Sequence, residues 1–148
     1  MRLLIFLAFS TFVPSIEVIP DEADFRRLME QNNRLSEADD PESFEILLSR
    51  LFHDHFDVAY SAALALESRA QVEFASQLLE VEKRVPSERL WFYYRALGSY
   101  PSIDVADRLI LALKREVNRQ KYEKYSDDRN TWYIYQSIGR VVFGIKNE

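Results

Sequence analysis

The chain has no cysteine, which excludes disulfides, thiolate metal sites and a cysteine nucleophile together, and leaves the redox compartment open. Glycine and proline are scarce, three and five in 148 residues. A sandwich or barrel needs a turn signal about every ten residues, more than this supply provides. No segment alternates apolar and polar residues over a useful length, and no apolar run reaches the roughly 20 residues of a membrane span. Basic residues are outnumbered, 19 against 24 acidic, for a net charge of -5, so no nucleic-acid partner is expected. There is no glycine-rich phosphate loop and no nucleophile elbow, and no spacing among the carboxylates singles out an acid and base pair. The expectation is a chain that is not an enzyme and carries no cofactor. What is present is a globular balance, 47% apolar and 29% charged with 14% aromatic, of a size for one domain and no second one.

The opening residues MRLLIFLAFSTFVPS place Arg2 before an apolar run from Leu3 to Phe9 that continues to Val13. Too short to span a bilayer, this stretch resembles a secretory signal with cleavage after Ser15. That reading divides the chain into a leader at 1–15, an N-terminal helix with an acidic linker at 16–40, and a helical domain at 41–148, and it implies export to the periplasm or beyond the cell. If residues 1–15 are instead the buried first element of the domain, the protein is cytoplasmic. Charge is divided unevenly. Residues 1–88 carry 8 basic and 17 acidic side chains, a net of -9, while residues 89–148 carry 11 and 7, a net of +4.

Helix signals divide the rest. Pro20, Asp21, Glu22 and Asp24 open an amphipathic stretch ending near Arg34. Asp40 followed by Pro41 reads as an N-cap with proline in the first turn, starting a helix to about Phe52 that buries Phe44, Leu47, Leu48 and Leu51. An alanine-rich helix follows from about Asp57 to Ser68. Another runs from Gln71 to Arg84, with Val72, Ala75, Leu78, Leu79 and Glu82 on its period. Pro86 and Ser87 cap the next, which ends at Gly98 in what reads as a left-handed C-terminal residue. Pro101 and Ser102 restart the chain in its longest helix, whose apolar face is Val105, Leu109, Ala112 or Leu113, and Val117. Lys114, Arg115, Arg119, Lys121 and Lys124 on that helix read as a solvated face. A turn at Asp127 and Asp128 leads to a last helix from about Asn130 to Val142. The total is seven helices.

Three segments align without gaps: VAYSAALALE at 58–67, RLWFYYRALG at 89–98 and NTWYIYQSIG at 130–139. They share an aromatic at the third place, a small residue at the eighth and Leu or Ile at the ninth. Each lies in the second helix of a predicted hairpin, the signature of helical units that stack on copies of themselves. Residues 53–66, HDHFDVAYSAALAL, resemble the HEAT-repeat family through His53 at the turn, Val58 as the inward valine, Ala62, Ala63 and Ala65 as packing alanines, and Leu66 closing the helix. Ala59 departs from the family's usual arginine and Glu67 from its glycine, although Gly98 and Gly139 restore that glycine in the later copies. The resemblance implies a short right-handed solenoid of about three hairpins, preceded by an extra N-terminal helix, with the second helices lining the inner face. It also implies a scaffold for partner proteins, without naming one.

His53, Asp54, His55 and Asp57 form the one close cluster of histidine and carboxylate. With no third histidine, and placed at a turn, they read as turn and capping residues, and no metal site is expected. The aromatic set says more. In the repeat register the first, fifth and ninth places share one stripe and face the core. The third place points away, so Tyr60, Trp91 and Trp132, with Phe92 and Tyr133 at the fourth place beside the tryptophans, form a candidate partner-binding strip. The main expectation is therefore a non-catalytic protein-interaction module. The rival readings are an inhibitor or immunity-type protein that binds a basic partner through the acidic N-terminal half, and an enzyme or lyase subunit. The last requires a ligand-sized pocket that gathers arginine, histidine and carboxylates.

Overall fold

The computed structural model describes residues 22–122 and 128–145. The leader at 1–15, the cap at Pro20 and Asp21, and Lys124 and Asp127 lie outside the described residues. Among those described there are seven α-helices and no strand, in agreement with the all-helical expectation. They are α1 (Glu22–Leu35), α2 (Pro41–Arg50), α3 (Phe56–Arg69), α4 (Ala75–Val81), α5 (Leu90–Leu97), α6 (Ile103–Tyr122) and α7 (Arg129–Ile145). No described helix is long and apolar enough to cross a membrane.

Local chemistry starts the helices where the sequence marks them. Asp40 caps α2, accepting from the Ser43 backbone N–H and hydroxyl at 2.7 Å each, and Pro41 needs no partner for its missing N–H. Those Ser43 bonds hold the Asp40 carboxyl below its usual pKa. The stretch 71–84 differs from the single helix expected. Only Ala75–Val81 is α-helical, between tighter 3-10 turns at Val72–Phe74 and Glu82–Arg84. The cause at the far end is Pro86, which disfavours helical geometry in the residue before it, and Val85 is extended. At the near end Val72 is exposed rather than on the buried stripe. Gly98 is also corrected: it is right-handed, with φ -65°. The one left-handed residue described is Ala70, the C-cap of α3.

The helices α1, α3, α5 and α7 pack successively on one another, while α2 lies against α3, α4 against α5 and α6, and α6 against α7. Between them Leu47, Leu66, Leu78, Tyr93, Leu97, Leu109 and Ile134 are fully buried. In the repeat register the fifth-place residues Ala62, Tyr93 and Ile134 have no exposure, and neither do Val58, Leu66 and Leu97. On α6 Val105, Leu109 and Ala112 are buried, but Val117 is exposed and Glu116 is buried in its place. Arg119 reaches Glu116 at 2.7 Å, which is how a carboxylate can lie there.

Several polar groups inside this core are tied to backbone or to one another. Asn32, fully buried on α1, donates to the Val58 carbonyl at 3.1 Å and to Ser61 Oγ at 2.7 Å, and accepts from Arg50 at 2.6 Å, joining α1, α2 and α3. The hydroxyls of Tyr93 and Tyr100 donate to the carbonyls of Leu78 and Leu66, each at 2.8 Å. Glu82, with 4% of its side chain exposed, is paired with Arg108 and Arg115 and accepts from the Tyr94 hydroxyl at 3.3 Å.

Two predictions follow from this core. Ala62→Asp places a carboxylate with no basic partner between α3 and its neighbours and should cost about 3 kcal/mol or more, measured by urea denaturation. A loss under about 1 kcal/mol would mean that the fifth-place register is wrong. The second concerns alkali. Burial raises the pKa of Tyr93, Tyr94 and Tyr100 above the ordinary phenol value, with the field of Glu82 adding to the first two. The folded state therefore holds these protons more tightly than the unfolded state, so stability is intact below about pH 10 and falls as the pH rises beyond it. Ionisation of these three, followed by absorbance at 295 nm, should coincide with loss of the helical circular dichroism. Smooth titration of all eight tyrosines with the helix intact would contradict it.

Candidate partner-binding strip

The three repeated aromatics stand on successive helices, Tyr60 on α3, Trp91 on α5 and Trp132 on α7, and the structure joins them into one chain of rings. Tyr60 and Trp91 have centroids 5.4 Å apart, Trp91 and Tyr133 5.0 Å, and Tyr133 and Trp132 4.7 Å. These separations lie in the range where aromatic pairs attract beyond their area burial. Phe56, one turn before Tyr60, extends the row at 6.1 Å and is 46% exposed. Nothing in the repeat marked Phe56. Its signal was the spacing of four from Tyr60, which puts the two on one helix face.

Exposure is graded along the row. Trp132 is 53% exposed, whereas Tyr60 and Trp91 are half-buried and packed against the core, and Tyr133 is half-buried. Phe92 is corrected outright: it has no exposure. It sits beneath the strip with its ring 5.3 Å from Trp91, 6.0 Å from Tyr60 and 5.9 Å from Phe56. The fourth register place of α5 points into the seam between α3 and α5, so Phe92 supports the strip and presents no surface of its own. The Trp91 indole Nε1 is buried and has no acceptor.

A shallow hollow of about 440 Å³ lies at the α7 end, lined by Trp91, Asp128, Arg129, Trp132 and Tyr133. The Arg129 guanidinium lies 6.0 Å from the Trp91 ring centre. Beside the row, one carboxylate collects two guanidinium groups: Glu67 on α3 accepts from Arg95 on α5 and from Arg140 on α7, each at 2.6 Å. Burial works against the charge of Arg95, but the bond and field of Glu67 outweigh it and raise its pKa. The cluster is left with one positive charge in excess.

The other candidates come to less. His55 stands at the N-cap position of α3 without a side-chain capping bond, and its ring stacks on Phe25 at 3.9 Å. His53 Nδ1 accepts from the His55 backbone N–H at 3.1 Å. No group of three or more potential metal ligands occurs among the described residues. A hollow of about 250 Å³ brings Glu82, Tyr94, Arg115 and Glu116 together with Val85 and Leu90, without a histidine. Its two carboxylates are already paired with arginines. No family model, curated protein or solved structure matches the chain, so the geometry itself carries the functional reading.

The unequal exposure of the tryptophans can be read in solution. Acrylamide quenching should resolve two emitters, a red-shifted, strongly quenched one lost in Trp132→Phe and a blue-shifted, protected one lost in Trp91→Phe. Equal quenching of both would mean that the seam between α5 and α7 is open.

Proposed function

We propose that the chain is a non-catalytic protein-interaction module. It binds a partner protein through the strip of Phe56, Tyr60, Trp91, Tyr133 and Trp132. The carrying observation is the unbroken contact of these rings across three helices. Large, rigid aromatic groups at a surface supply contact area at little cost in side-chain entropy and dominate many protein interfaces. The fitting partner offers an apolar or aromatic anchor for the hollow beside Trp132, with a carboxylate toward the Arg95, Arg140 and Glu67 cluster, which carries one positive charge in excess. The succession of α3, α5 and α7 is consistent with a short right-handed, HEAT-like stack whose second helices form the binding layer.

The test begins with affinity capture from the source cells and continues with the purified partner. Trp132→Ala removes a mostly exposed ring and should leave the melting temperature nearly unchanged while weakening binding about 30-fold, the scale of a 2 kcal/mol hot spot. Leu111→Glu, at an exposed apolar residue of α6 outside the strip, should leave binding unchanged. A captured partner that binds Trp132→Ala and Tyr60→Ala as tightly as the native chain would reject the strip.

A further inference from the structure

Asn130, in the first turn of α7, is 8% exposed, yet its amide neither donates nor accepts a hydrogen bond among the described residues. Polar groups buried to this degree almost always have a partner. The side chain lines a hollow of about 290 Å³ between the entry to α5, the second half of α6 and the start of α7, whose other walls are Ser87, Glu88, Leu90, Glu116 and Arg119. It adjoins the hollow of about 250 Å³ beside Glu82, with which it shares Ser87, Leu90 and Glu116.

A second group in this hollow has capacity to spare. The Oε2 of buried Glu116 takes two bonds from Arg119, at 3.1 Å from Nε and 2.7 Å from Nη2. Its Oε1 has no hydrogen-bond partner among the described residues. Arg119 thereby fixes the carboxylate by one oxygen and leaves the other for the hollow. The helical period of α6 assigns this inward place to Val117, which is exposed instead, so the chain turns a carboxylate toward Asn130 where packing alone calls for an apolar side chain.

The donors and acceptors decide what fits. The Asn130 amide offers two N–H donors and an oxygen acceptor, and Glu116 Oε1 only accepts. Two carboxylates against one guanidinium line the walls, so an anionic group would be repelled. An ammonium group only donates, and it would leave the Asn130 N–H groups unpaired. A hydroxyl does both. Two adjacent hydroxyls can donate to Glu116 Oε1 and Asn130 Oδ1 while one of them accepts from Asn130 Nδ2, which engages all three atoms at once. The carbon face of such a ligand has Leu90 to lie on. The hollow is just under the roughly 300 Å³ at which sites for drug-sized ligands begin, a scale that suits one small ring.

We propose that this hollow binds a neutral polyhydroxylated ligand of monosaccharide size, held by Asn130 and Glu116 through a pair of adjacent hydroxyls. The site shares no lining residue with the hollow at the aromatic strip. It therefore stands whether or not the strip binds a protein.

The test is a nuclear magnetic resonance titration of the ¹⁵N-labelled full chain with glucose, mannose and galactose, each to about 50 mM, well above the millimolar Kd of a weak site. At least one sugar should move the Asn130 side-chain NH₂ resonance, identified by its loss in Asn130→Asp, along a saturable curve. Asn130→Asp keeps the size of the side chain and removes both donors, and a carboxylate in the first turn of a helix is favourable to the fold. It should retain the helical circular dichroism and weaken sugar binding at least tenfold. No saturable shift with any of the three sugars, a shift that leaves the Asn130 resonance in place, or equal binding by Asn130→Asp would each overturn the proposal. So would saturable binding of acetamide without binding of any sugar, since the site would then select a carboxamide and not a diol.

Discussion

The close approach of α5 and α7 at Gly98 is the constraint on which the surface of this molecule depends. Ser137 lies where any side chain on Gly98 would have to be, and its hydroxyl donates to the Tyr94 carbonyl at 2.7 Å. That bond satisfies the Ser137 hydroxyl, which is almost wholly buried, on a carbonyl near the end of α5 that also accepts from the Gly98 backbone N–H at 3.0 Å. Because the axes come this near, Trp91 on one helix and Tyr133 on the other are in ring contact. An added side chain at residue 98 would push the helices apart and cut the aromatic row between its second and third helices.

Glu67 acts on the same row from the other side. At the place where the repeat pattern has glycine, α3 carries a carboxylate that binds one arginine from α5 and another from α7. Exposed ion pairs contribute little alone, but here both guanidinium groups are held by one anion that is itself only 18% exposed. The arrangement links three successive helices along the edge of the strip. It also leaves its net positive charge beside the rings, at the surface where the strip is open.

Much of this was legible in the chain, and the failures have physical causes. The fifth-place residues Ala62, Tyr93 and Ile134 were read as core and are fully buried, since helical period alone decides which stripe faces inward. The cap of α2 was legible because Asp-Pro has few other uses. Phe92 was misread because the register gives the direction of a side chain from its own helix axis but not the position of the neighbouring helix. The seam between α3 and α5 falls under the fourth place on α5, and on α7 the corresponding Tyr133 is only half-buried. Val117 and Glu116 were exchanged for a similar reason. An apolar side chain was assigned to the core over its charged neighbour, although Arg119, one turn later, gives Glu116 a partner. Gly98 was given the role glycine most often has at a helix end, when it was needed for the absence of a side chain and not for freedom of φ.

The gradient of exposure along the strip bears on how such a surface can bind tightly. A ring that is free in solution must be ordered when a partner arrives, at a cost of about 0.5 to 1.5 kcal/mol for each immobilised side chain. Tyr60 and Trp91 have already met that cost, because one side of each is fixed against the core and Phe92 lies under both. Trp132 is the exception, with more than half of its surface in water and a perpendicular contact to Tyr133 at 89° as its ring support. The strip therefore combines a rigid floor of Tyr60 and Trp91 with a more exposed ring at each end, Phe56 on α3 and Trp132 on α7. That division suits a site whose inner part sets register and whose outer part closes over an anchor. It also explains why the hollow lies at the α7 end and not between Tyr60 and Trp91. There Trp132, the most exposed ring of the strip, forms a wall together with Tyr133.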